Sequence, residues 1–196
     1  YYRGNVMKVI ISILIFSFIL LLGCDSGQDS LVDSNEIIST ESPTFEKIQL
    51  PTRLSSWMDS LITMSQTIDG SIGGRMFLDK YYIAKNGDSV KVKVDLIIPA
   101  GAFQGTKIIT ITVDQIDAAV HFYPEMFFDD TIRLFQSFEG LDLTNYSTGT
   151  IDFVYMRDDG SVELVKKNGT QIILPQGILR VQNAKLNHFS RYGWVR

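Results

Sequence analysis

Ser89–Pro99, SVKVKVDLIIP, is the stretch from which the fold is read. Val90, Val92, Val94, Leu96 and Ile98 fall on one side of an extended chain, and Lys91, Lys93 and Asp95 fall on the other. Successive side chains of a strand point to opposite faces, so this alternation predicts a strand with one face in a core and one in water. Downstream, Lys107–Asp114 repeats the pattern, with Ile109, Ile111 and Val113 on one face and Thr110 and Thr112 opposite. Upstream, Ile62, Met64, Gln66 and Ile68 alternate with Thr63, Ser65 and Thr67 and run into an Asp69-Gly70 turn. Tyr81–Ala84 is joined to the opening stretch by Asn86-Gly87, a hairpin signal.

Further strands are expected at Thr131–Phe138, Thr150–Arg157, Ser161–Lys167, Gln171–Leu174, Ile178–Ala184 and Phe189–Val195. Asp159-Gly160 and Asn168-Gly169 fall between three of them, and each suits a tight hairpin that needs positive φ. Leu54–Leu61, with Leu54, Trp57, Met58 and Leu61 on one side, reads as one or two helical turns. No long amphipathic helix interrupts the series. Strands recurring every ten residues or so predict an all-β chain folded as an antiparallel β-sandwich over residues 46–196.

The order of motifs in this region resembles the bacterial relatives of the ZU-five domain, the β-sandwich named for zonula-occludens proteins and uncoordinated-type netrin receptors. The resemblance rests on Gly73-Gly74, then Ile98-Pro99-Ala100-Gly101-Ala102-Phe103, then TKIITIT at Thr106–Thr112. It continues through Phe122-Tyr123-Pro124, Phe128-Asp129-Asp130, Gly140-Leu141-Asp142-Leu143 and Asp159-Gly160, and closes on HFSRY at His188–Tyr192. It spans about Ile68–Val195. Tyr123 stands where the family has Gly, and Thr131 stands where it has Pro. The resemblance implies a sandwich serving as an interaction or scaffold module, without a ligand that can be carried over.

The other informative segment is Met7–Cys24, MKVIISILIFSFILLLGC. A basic tip, an apolar run too short for the roughly 20 residues of a spanning helix, and small residues at its end make a secretory signal. Its ending, Leu21-Leu22-Gly23-Cys24, resembles the lipobox of bacterial lipoprotein signals, which implies lipid attachment at Cys24 after cleavage. Residues 1–6 then read as an upstream extension, 7–23 as the signal peptide and 24–45 as a lipidated cysteine with an acidic tether. Asp25–Pro43 holds five acidic and no basic residues and too few apolar ones to repay an ordered structure. As a flexible coil it reaches roughly 25 Å from the membrane. Acyl chains contribute about 0.8 kcal/mol per buried methylene, so a multiply acylated Cys24 is a lasting anchor. The expected location is the bacterial cell envelope, held by palmitate-type lipid and facing the periplasm or cell surface.

The whole chain has a formal net charge of −4. Loss of Arg3 and Lys8 with the signal takes 18 basic residues to 16 against 22 acidic, near −6. That balance excludes nucleic acid as the expected partner, because phosphate binding needs a basic footprint. The expected partners are the membrane, through Cys24, and an envelope protein or glycan.

For chemistry, the one pointed candidate is His188-Phe189-Ser190. In some members of the resembling family, and in a nucleoporin domain, this tripeptide cuts itself between Phe and Ser. Ser190 Oγ would attack the Phe189 carbonyl while His188 takes the hydroxyl proton. The plainer reading, and the one adopted, has His188 hydrogen-bonded in the sheet, Phe189 in the core and Ser190 on backbone. Only a short strand follows the motif to be released. His121 reads as a satisfied loop histidine, and Asp129-Asp130 and Asp158-Asp159 as solvated turns rather than calcium ligands. Two distant histidines and no spare cysteine do not make a zinc site. No GxSxG, HExxH or P-loop spacing occurs, so no enzyme and no cofactor are expected. The aromatics Tyr81-Tyr82, Phe122-Tyr123, Phe127-Phe128 and Trp194 are core material or, where exposed, a sugar- or peptide-binding face.

Overall fold

A computed structural model describes residues 45–54 and 61–196. Cys24, the signal, the tether and the turn expected within Leu54–Leu61 lie outside the described residues, apart from the two ends of that turn. The described chain is all-β. Its strands are β1 (Thr63–Asp69), β2 (Gly74–Ile83), β3 (Ser89–Ile98), β4 (Thr106–Val113) and β5 (Ala119–Glu139), then β6 (Asp152–Met156), β7 (Val162–Leu164), β8 (Gly169–Ile173) and β9 (Ile178–Val195).

All nine strands belong to one antiparallel hydrogen-bonded network in the order β1-β4-β5-β9-β6-β7, with β2-β3 joined to β5 and β8 joined to β9. The two long strands organise it. The C-terminal half of β5 pairs β3 and the first half of β9, whereas its N-terminal half pairs β4 and the last part of β9. Strand β8 lies against the start of β9 and β6 against its end. One sheet thus folds over across β5 and β9, and both halves turn their apolar faces to a single core. Val90, Val92, Val94 and Leu96 of β3 share that core with Ile109 and Ile111 of β4 and Phe153 of β6.

The alternating strands form as their residues dictate. Every second residue of β3 from Val90 to Ile98 is buried, as are Ile109, Ile111 and Val113 of β4. On the wet face of β1 and β4, Ser65 and Thr110 hydroxyls lie 2.8 Å apart and those of Thr63 and Thr112 3.1 Å apart, cross-strand pairs that help fix the register. Gly73, at φ 76°, closes the turn into β2 where a Cβ would lie 2.4 Å from the Ile98 carbonyl oxygen. Only glycine accepts both the dihedral and that approach.

Several expectations need correction. Thr131–Phe138 is the end of a far longer strand, and His121 and Asp129-Asp130 lie in β5 rather than in loops or turns. Ile178–Ala184 and Phe189–Val195 are the two halves of one strand, β9. Asn168-Gly169 is not a hairpin: β7 pairs β6 while β8 pairs β9, so the chain crosses between neighbours of different strands. The strand expected at Tyr81–Ala84 starts at Gly74 and pairs β3 along its whole length.

One core position breaks the apolar pattern. Gln136 stands between Val94 of β3 and Val181 of β9, is 2 % exposed, and has neither amide atom hydrogen-bonded among the described residues. A buried polar group without a partner costs about 1–3 kcal/mol. Gln136→Leu is therefore expected to raise the melting temperature by several degrees, read by calorimetry; a fall would show that the amide has a partner in solution.

Candidate functional site

Two irregularities in β5 shape the surface. Between His121 and Met126, four residues face the single Ser190 of β9; between Phe127 and Ile132, four residues face the single Asn187. Such interruptions bend a strand and strengthen its twist. The Tyr123–Pro124 peptide in the first is cis. At this bend the two halves of the sheet part, and two adjoining clefts of about 660 Å³ each open on the outside.

His188, Tyr155, Glu163 and Asn187 line both clefts. The His188 ring lies 4.5 Å from Tyr155 at a steep angle, 5.4 Å from Phe127 and 5.8 Å from Tyr192. Phe127 is 84 % exposed beside one cleft and Leu164 is 77 % exposed at the rim of the other. Glu163 is held by Arg157 in an ion pair. The larger array of polar groups, Thr131, Arg133, Lys166, Lys185 and Asn187, lines the first cleft.

The structure places His188, Phe189 and Ser190 on β9 at this bend. Phe189 is buried, stacked on Phe122 at 5.5 Å and edge-on to Phe128 at 4.6 Å. The Tyr192 hydroxyl donates to the His188 carbonyl at 2.9 Å and lies 3.4 Å from His188 Nδ1. Burial, and then the neighbouring Tyr155, push the Tyr192 phenol well above its usual range, so it stays a hydroxyl donor. No hydrogen bond joins His188 to the Ser190 hydroxyl among the described residues.

The remaining motif residue, Arg191, belongs to a separate charged cluster at the other side of β9. Asp114 accepts from Arg191 at 2.8 Å, from His121 Nε2 at 3.1 Å, and from the backbone N–H groups of Ile116 and Asp117 at 2.8 and 3.0 Å. Arg191 also pairs with Asp117, which lies 3.9 Å from Lys47. Burial alone would raise the Asp114 carboxyl, but the His121 and backbone hydrogen bonds and the Arg191 charge outweigh it and hold Asp114 well below the usual carboxylate range. This cluster ties the β4–β5 connection to β9. Asp159, by contrast, sits in an exposed turn and accepts from the Ser161 N–H and hydroxyl.

Among the described residues no group of three or more His, Cys, Asp or Glu is arranged to hold a metal ion. The sequence singled out His188, and Phe127 as an aromatic of a possible binding face, but missed Tyr155, Arg133 and Lys185 around them. Their only signal is exposure of residues that a strand would otherwise alternate, and that signal needs the bend to be known. No protein-family model matches the chain, and no curated protein or solved structure matches it either.

Proposed function

We propose that the protein is a lipid-anchored cell-envelope binding module, held to the membrane through Cys24, whose contact surface is the bend cleft around His188. The observation that carries the reading is the convergence of the half-buried Tyr155 and His188 rings with polar side chains in a cleft of about 660 Å³, within the rough 300–1,000 Å³ range of ligand sites, beside the exposed Phe127 of the adjoining cleft. The role is binding rather than self-cleavage, a choice supported by the His188 imidazole lying against Tyr155 and Tyr192 instead of on the Ser190 hydroxyl.

The anchor and the contact surface separate in one experiment. A full chain carrying Cys24→Ser lacks the lipid and reports cleft binding alone. It should still sediment with isolated bacterial envelopes, and adding Tyr155→Ala should release most of it. Equal sedimentation of both variants would remove the cleft from the account, and loss of palmitate labelling in Cys24→Ser checks the anchor.

A further inference from the structure

We propose that the ligand of the bend cleft is an acidic saccharide, its carboxylate bound between Arg133 and Lys185 and its rings lying against Tyr155 and His188. This rests on the reading of the cleft as the contact surface and adds the chemical class of what enters it.

Arg133 of β5 and Lys185 of β9 are register partners, directly opposite across the ladder. The Lys185 N–H donates to the Lys166 carbonyl at 2.8 Å, which brings a third cation alongside. All three line the first cleft, and none has an ion-pair or hydrogen-bond partner for its side chain among the described residues. Like charges directly opposite one another weaken a ladder. Asp130 and Glu163 line the same cleft, yet among the described residues no carboxylate forms an ion pair with this row. The site is thus arranged to meet an anion from outside, and a guanidinium beside an ammonium suits a carboxylate.

The rest of the lining selects among anions. Asp130 and Glu163 also face this cleft, so a dense polyanion such as a nucleic acid would meet repulsion at its edges. The Asp130 and Glu163 carboxylates, the Asn187 amide and the Thr131 hydroxyl are groups that exchange hydrogen bonds with sugar hydroxyls. Tyr155 and His188 offer ring faces and edges for the apolar side of a pyranose. One acid group surrounded by hydroxyls, on a pyranose ring with an apolar face, fits all of these at once; an acidic peptide uses the cations but brings fewer hydroxyl groups and no pyranose face.

The test is calorimetric titration of the full chain with a panel of uronic acid oligosaccharides: tetragalacturonate, an alginate tetramer and a hyaluronan tetramer. The comparison ligands are fully methyl-esterified tetragalacturonate, hexaglutamate and inorganic phosphate. At least one uronate should bind, and both its Arg133→Ala and Lys185→Ala variants should bind it at least about tenfold more weakly, the loss expected of one charge-assisted hydrogen bond. The methyl ester should lose as much, and Arg75→Ala, a cation outside both clefts, should change nothing. The proposal falls if no uronate binds at up to about 5 mM, past the weak end of specific affinities near 1 mM. It falls equally if hexaglutamate or phosphate binds as well as the best uronate, or if both variants bind normally. Should uronates fail while Tyr155→Ala still releases the protein from envelopes, the ligand class is wrong and the cleft stands; failure of both removes the cleft.

Discussion

Replacing Phe189 by alanine is expected to lower the unfolding free energy by about 3–5 kcal/mol, the range for truncating a buried Phe. In a domain of this size that corresponds to a drop of roughly 6–20 °C in melting temperature. The ring is 1 % exposed and touches Phe122 and Phe128 of the bent part of β5, so its loss opens a cavity where the two halves of the sheet meet. The packed rings add about 0.5–1.5 kcal/mol per pair beyond their buried area. Phe189→Leu should lose markedly less because it fills most of the space. Scanning calorimetry of the three proteins decides this. A Phe189→Ala protein as stable as the parent would mean that the residue serves the cleft rather than the core.

The second large effect is expected at Asp114. Asp114→Ala leaves Arg191 with one carboxylate, His121 without its acceptor and two backbone N–H groups unsatisfied. Removing one member of a buried charged network costs about 3–5 kcal/mol. The Asp114 side chain is 14 % exposed and the Arg191 side chain 18 %, so solvent reduces this to about 2–3 kcal/mol. The pH dependence has a definite sign. Because the folded carboxyl is held below its unfolded value, its stabilisation is complete above the ordinary carboxylate range and is lost as pH falls beneath that range. The parent should therefore lose stability steeply on acidification, and Asp114→Asn should show a flatter acid limb. Denaturant titrations at pH 7 and pH 3 measure both. Parallel acid limbs would contradict the assignment.

These two residues also show what the sequence could and could not disclose. Strands β1, β3 and β4 were legible because each keeps one wet face, and the alternation survives along its length. Strands β5 and β9 were not, because each changes its register at the bend. Phe122, Ile132 and Leu134 are buried, but Pro124 and Asp130, which fall in the same alternating phase within the two irregularities, are exposed, so a constant two-residue period fails. From Tyr192 to Val195 all four residues are buried, because this part of β9 is covered on both faces. Gly193 fits there since a Cβ would lie 2.5 Å from that of Ala119. Asn168-Gly169 has the composition of a hairpin, but turn chemistry does not say which strands will pair across it.

The same holds for the site. A short motif drew attention to His188, and the expected burial of Phe189 followed from its place in a strand. Arg133 and Lys185 sit far apart in sequence within unremarkable polar–apolar alternation, and only the β5–β9 register sets them side by side. Arg191 and Asp114 meet in the same way across β9. Local pattern carries which face a residue takes; it does not carry which distant residue shares that face.

The most direct test of the central claim, that the bend cleft is the contact surface, is site-specific photocrosslinking in bacteria that express the full chain. A photoreactive phenylalanine is placed at Phe127, beside His188, or at Tyr81, which is 70 % exposed on β2 and lines neither cleft. Adducts with envelope material are predicted from position 127 and not from position 81. Adducts from 81 with none from 127 would place the contact surface elsewhere on the fold.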